Sequence, residues 1–141
     1  MAQVLIYPPT DGEAPRPSRE LFAEGLFLTA RDREAFTAHY VARAGADGHD
    51  PRISPLRAPS LAGMPPAIVV TAGFDILRDE GEAYAEALRA AGGVVRHRRF
   101  AGLVHGFLHM TGVARAAREA TAAIAREWRA LLDETTASTP S

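Results

Sequence analysis

Pro65-Pro66-Ala67-Ile68-Val69-Val70-Thr71-Ala72-Gly73-Phe74-Asp75-Ile76-Leu77-Arg78-Asp79-Glu80-Gly81 is the stretch that decides the fold. Residues 67–72 are apolar on both alternating faces, which predicts a strand covered from two sides, as in a parallel sheet. Asp79-x-x-Glu82 puts carboxylates where a helix N-terminus favours them, and Ala83, Tyr84, Ala87, Leu88 and Ala91 follow at helical spacing. Gly92-Gly93 ends that helix. Val94 to Phe100 then reads as a strand carrying Arg96, His97, Arg98 and Arg99, a polarity that suits a sheet edge. Strand, helix and strand within about 35 residues make a right-handed βαβ unit with parallel strands.

The flanks fit the same architecture. Gln3-Val4-Leu5-Ile6-Tyr7 reads as a short buried strand, stopped by Pro8-Pro9-Thr10-Asp11-Gly12. Thr29-x-x-Asp32 predicts a capped helix start, with a helix to about Ala44 that brings Phe36, Tyr40 and Val41 near one face. A Pro-, Ser- and Leu-rich loop leads on to Pro66. The last helix is expected from Val113 to Leu132, with Val113, Ala117, Ala120, Ile124, Trp128 and Leu131 as its apolar stripe. One domain over residues 1–134 and a disordered tail over 135–141 follow from this division.

Composition narrows the chemistry. The 141 residues are 47% hydrophobic and 23% charged with a net charge of −1, ordinary values for a globular domain with no nucleic-acid or anionic-membrane partner. All 16 cationic residues are Arg, and there is no Cys. Disulfides, cysteine nucleophiles and Schiff-base lysines are therefore excluded. The early apolar run Val4 to Tyr7 is too short for a signal peptide or membrane span, so a cytoplasmic location is expected.

Asp75 closes the apolar strand, and His105 follows the next one in Gly102-Leu103-Val104-His105-Gly106-Phe107. Both fall on the rim where open α/β sheets place ligands. Adjacent parallel strands lie about 4.8 Å apart, so a carboxylate–imidazole hydrogen bond is within reach. That pair is two thirds of a Ser-His-Asp triad. The competing readings are a turn aspartate and a satisfied loop histidine. No Gly-x-Ser-x-Gly occurs in the sequence, and Ser18, Ser54 and Ser60 lack the strand-turn-helix elbow that activates a serine. His105 and His109 are four apart, but Gly106 lies between them and no Glu follows His105, so no metal site is expected. A receiver-like signalling domain would need a lysine, which the chain lacks.

Pro65 through Gly81, then Tyr84-Ala85 and Leu88, then Phe100 through His105-Gly106-Phe107, resemble the hormone-sensitive-lipase-like carboxylesterases, which are α/β-hydrolases. Gln3 to Pro8, Glu24 to Thr29 and Asp50 to Leu56 are similar to that family's pattern as well. The resemblance implies a three-layer α/β-hydrolase fold, of which this chain holds the C-terminal part: the last three parallel strands with flanking helices. It implies hydrolysis of small carboxylic esters without a cofactor, Asp75 as triad acid and His105 as base. It also offers Phe27, Phe36 and Phe107 as walls of the substrate pocket, against a reading of all three as ordinary core aromatics.

The same resemblance places the family's Gly-Asp-Ser-Ala-Gly nucleophile motif and His-Gly-Gly-Gly oxyanion motif upstream of Met1. The chain is then expected to be inactive alone and to need the missing N-terminal half of its domain. A homodimer through the last strand and last helix is a further expectation. The alternative is a non-catalytic half-domain that binds another chain through its exposed first strand.

Overall fold

The computed structural model describes residues 1–45 and 47–137. Three strands form one parallel sheet in the order β1-β2-β3: β1 is Gln3–Ile6, β2 Ala67–Phe74 and β3 Val95–Val104. The helices are α1 (Pro17–Leu21), α2 (Ala30–Ala44), α3 (Arg78–Ala90) and α4 (Arg115–Ala137).

β2 is central, and its alternation builds two cores. Ile68, Val70 and Ala72 pack with Phe107 and with Ala117, Ala120, Ile124 and Leu131 of α4. Ala67 and Val69 pack on the opposite face with Tyr84, Ala85 and Leu88 of α3. A strand apolar on both faces thus becomes the middle of three layers. Each of its fully buried Val and Ile side chains contributes about 1.5–3 kcal/mol of transfer free energy.

β3 is an edge strand, and its charges all find partners. Arg96 and Arg98 reach Glu134 and Glu127 of α4, while Arg99 reaches Glu82 of α3 and the His97 ring meets the Thr71 hydroxyl at 3.0 Å. The period-2 alternation sends successive side chains to the helices on opposite faces. Burial pushes the His97 imidazole below its ordinary range, only partly opposed by Glu82.

Four boundaries differ from those expected. β3 continues to Val104, past the expected end at Phe100, through an irregularity opposite Ala72 and Phe74, so His105 follows the strand directly. At that bulge Gly73 lies so close to β3 that a Cβ would sit 2.0 Å from the Ala101 carbonyl oxygen. α4 starts at Arg115, and Val113, expected on its apolar stripe, is 89% exposed. The same helix runs to Ala137, three residues into the expected tail, where the Thr135 and Thr136 hydroxyls bond back to the Leu132 carbonyl. Residues 138–141 lie outside the described residues. A short helix, α1, stands where only loop was expected, because Ser18 is buried and its hydroxyl donates to the Ile76 carbonyl at 3.0 Å. The Thr29 capping box forms as expected: the Asp32 amide donates to the Thr29 hydroxyl and the Thr29 amide to the Asp32 carboxylate.

Candidate active site

Asp75 is the first residue after β2 and is 1% exposed. One carboxylate oxygen accepts the Leu77 amide at 2.8 Å, a local turn that leads into α3. The other faces His105 Nδ1 at 2.9 Å. The carboxylate is thus fixed by its own backbone before it orients the ring. His105 Nε2 has no hydrogen-bond partner among the described residues. An imidazole oriented through Nδ1 and unengaged at Nε2 is able to take a proton from a nucleophile.

Two aromatic residues set the ring's position from β1 and from the turn beyond it. Tyr7 packs against His105 with centroids 4.5 Å apart, and Phe107 packs edge-on beneath Tyr7. Tyr7 has φ +41°, a left-handed backbone that costs a non-glycine residue of order 1–3 kcal/mol. Its amide still donates to the Val70 carbonyl at 2.7 Å, so the sheet holds the strained residue at the rim. Burial raises the Tyr7 phenol above its ordinary range, with the Leu108 amide opposing and Asp75 adding to the rise. Tyr7 was legible only as a strand residue; its place before Pro8-Pro9 at a strand's C-terminal end was the available signal.

His105 opens onto a cavity of about 600 Å³. Leu28, Phe36, Tyr40, Ile53, Pro55 and Leu77 give it a largely apolar wall. That volume and lining suit a small organic ligand. Phe36 lines the cavity. Phe27 stands outside it, with its ring edge over Gly106, the residue after the histidine. Phe107 is a correction: it is fully buried in the α4-side core and has no surface to offer a ligand. It supports Tyr7, and through it His105, because the turn Phe107–Met110 drives its ring down between the sheet and α4.

Gly106 has φ +73°, and a Cβ there would lie 2.7 Å from a Phe27 ring carbon. Gly106→Ala is therefore expected to cost about 1–2 kcal/mol in backbone strain and to swing the exposed Phe27 ring away. Urea unfolding gives the first effect, and the shift of the His105 ring signals in NMR gives the second.

A charged layer lies beneath the apolar wall. Asp11, 5% exposed, accepts from the Glu13 and Ala14 amides and pairs with Arg57 at 3.0 Å and Arg16 at 3.4 Å. Burial alone would raise the Asp11 carboxyl, but those amides and Arg57 outweigh it and hold it at about 2. A carboxylate depressed in the folded state stabilises above its unfolded pKa, near 3.9, and that contribution is lost as pH falls through about 2. Unfolding midpoints of Asp11→Asn and the parent chain should therefore differ at neutral pH and converge as pH falls below about 4.

A family profile described as alpha/beta hydrolase fold matches residues 1–109. The chain belongs to the α/β hydrolase family. It is 51% identical over 108 residues to the carboxylic ester hydrolase LipN of Mycobacterium tuberculosis, covering 77% of this chain and 29% of LipN. It is 38% identical over 117 residues to the ethyl acetate hydrolase of Pseudomonas putida, covering 83% of this chain and 36% of that enzyme. Among solved structures, EstE1, a thermophilic carboxylesterase from a metagenomic library, superposes with a TM-score of 0.85 at 41% identity, over 93% of this chain and 45% of EstE1. The chain thus spans less than half the length of these relatives. The resemblance to the hormone-sensitive-lipase-like carboxylesterases holds, as does the fold of parallel strands between helices. Among the described residues no helix is long and apolar enough to cross a membrane.

Proposed function

We propose that this α/β-hydrolase chain supplies the acid and base of a serine carboxylic ester hydrolase, with Asp75 and His105 in those roles. The observation that carries the reading is the 2.9 Å Asp75–His105 hydrogen bond on the C-terminal rim of the sheet, beside an apolar cavity. In this scheme a serine oxygen attacks the ester carbonyl while His105 Nε2 takes its proton. The imidazolium, stabilised by Asp75, returns that proton to the leaving alkoxide, and an acyl-enzyme remains. Water, activated by the same histidine, releases the acid. The relatives named ester hydrolases support the substrate class, a small carboxylic ester with an acyl chain of short to medium length.

The serine belongs to a segment outside these 141 residues. Ser18 and Ser54 are fully buried, and both hydroxyls are engaged with backbone groups. The Ser60 hydroxyl accepts the amide of Ala62 in an exposed loop. The pure chain is therefore expected to be silent, and a cytoplasmic location goes with this reading.

The test is a chimera in which residues 1–109 replace the matching segment of LipN. Hydrolysis of p-nitrophenyl butyrate by the chimera, absent from the 141-residue chain alone, is the expected result. A folded, monodisperse chimera without turnover would falsify the assignment.

A second reading is a non-catalytic half-domain that binds another chain along β1, which has β2 as its only neighbour in the described sheet. Association through β3 and α4 is the other route to an assembly. Sedimentation distinguishes these from a monomer, and charge reversal at Arg96 or a charge introduced at Val4 of β1 tells the two edges apart.

A further inference from the structure

The cavity wall contains a cation with unspent donors. On α2, Arg33, Phe36, Thr37 and Tyr40 fall at positions i, i+3, i+4 and i+7, and all four line the cavity. This is one helical face, and Arg33 is its only charge. The Arg33 guanidinium donates one hydrogen bond, to the Gly12 carbonyl, and makes no ion pair among the described residues. The other charges of the wall are spoken for: Glu80 by Arg19 at 2.6 Å, Asp11 by Arg57 and Arg16, and Arg52 by Asp50 at 2.6 Å. Glu13 and Glu34 are exposed to solvent and stand beyond ion-pair distance. Partial burial lowers the affinity of Arg33 for its proton, with Arg19 adding to that effect and Glu80 opposing it. A half-buried guanidinium with free planar donors on the wall of an apolar cavity suits a carboxylate, which it can hold through two parallel hydrogen bonds.

Resting on the ester-hydrolase reading, we infer that Arg33 makes this cavity selective for esters that carry a second, ionised carboxylate, such as hemiesters of short dicarboxylic acids. The apolar wall takes the methylene chain, His105 faces the ester group, and Arg33 holds the remote carboxylate.

The test uses the 141-residue chain and needs no turnover. Monoethyl succinate, glutarate and adipate are titrated against the corresponding diethyl esters, and affinity is read from NMR shifts of His105 in the parent chain and in each variant. At least one hemiester should bind about tenfold more tightly than its neutral diester, with the preference eroded by added salt. Arg33→Met should bring the hemiester-to-diester affinity ratio down to about one; a merely structural role for Arg33 would weaken both ligands by the same factor and keep the roughly tenfold ratio. Arg33→Gln keeps a donor for Gly12 and carries the test if the methionine variant misfolds. Equal binding of hemiester and diester, no binding of either, or a preference that survives both variants overturns the inference. Because hydrolysis is not measured, an inactive LipN chimera leaves this result standing, and an active chimera does not establish it.

Discussion

His105→Ala, made in the LipN chimera, should lower kcat for p-nitrophenyl butyrate by about 10⁴-fold or more, with KM changed only slightly. In the proposed scheme the ring moves the proton, and its Nδ1 is held at 2.9 Å by the buried Asp75 carboxylate. Removing it leaves a serine at its ordinary, weakly nucleophilic pKa. Asp75→Asn should lower kcat by about 10³–10⁴-fold, because the amide can present its N–H to Nδ1 and hold the wrong tautomer. The double variant should be no worse than His105→Ala, since the aspartate acts through the histidine. Additive losses would mean that Asp75 works independently of the ring. A chimera whose turnover survives His105→Ala would remove this pair from the chemistry altogether.

Glu80→Ala should be the most damaging single change to stability, at about 3–5 kcal/mol out of a total near 5–15. Glu80 is 1% exposed and lies in the first turn of α3. Its carboxylate accepts the Thr10 amide at 2.9 Å and the Asp11 amide at 3.3 Å, and it pairs with Arg19. Alanine strands two buried amides and a partly buried guanidinium together. The residue ties the loop after β1 to α3, so its loss also loosens the wall that holds Asp11 and Arg33. Glu80→Gln keeps an acceptor for the amides and should lose clearly less. Urea midpoints of the three proteins measure the ordering; equal stability of Glu80→Ala and the parent chain would refute the buried-pair account.

The strand-helix-strand unit was legible because two periodicities change abruptly in sequence. The run from Ala67 to Ala72 is apolar at every position but Thr71, and the helix after it is apolar at every third or fourth. Asp75 and His105 were legible as a pair because each abuts the C-terminal end of a strand, and parallel strands bring those ends to one rim. Boundaries were harder. β3 outlasts its apolar pattern because pairing with β2 extends it past a bulge, which Gly73 permits by lacking a Cβ. Local pattern carries no signal for a contact made across strands.

Aromatic residues show the same limit more sharply. Phe27, Phe36 and Phe107 look alike in sequence, each an aromatic near a plausible site. Phe107 is fully buried and Phe36 is 66% exposed on the cavity wall, while Phe27 covers Gly106. Their fates depend on which neighbours exclude water from each ring, a property of packing that no short motif encodes.

The amino-acid sequence by itself determined the βαβ unit, its parallel sense and the rim that carries Asp75 and His105. Periodicity, helix stops and chirality are local rules, and they leave few topologies open. Only the tertiary structure decided that Tyr7 braces the histidine, that Glu80 and Asp11 are neutralised within the wall and that Arg33 is not. Those outcomes are sums over groups distant in sequence, where burial and the competition for partners set each charge's state.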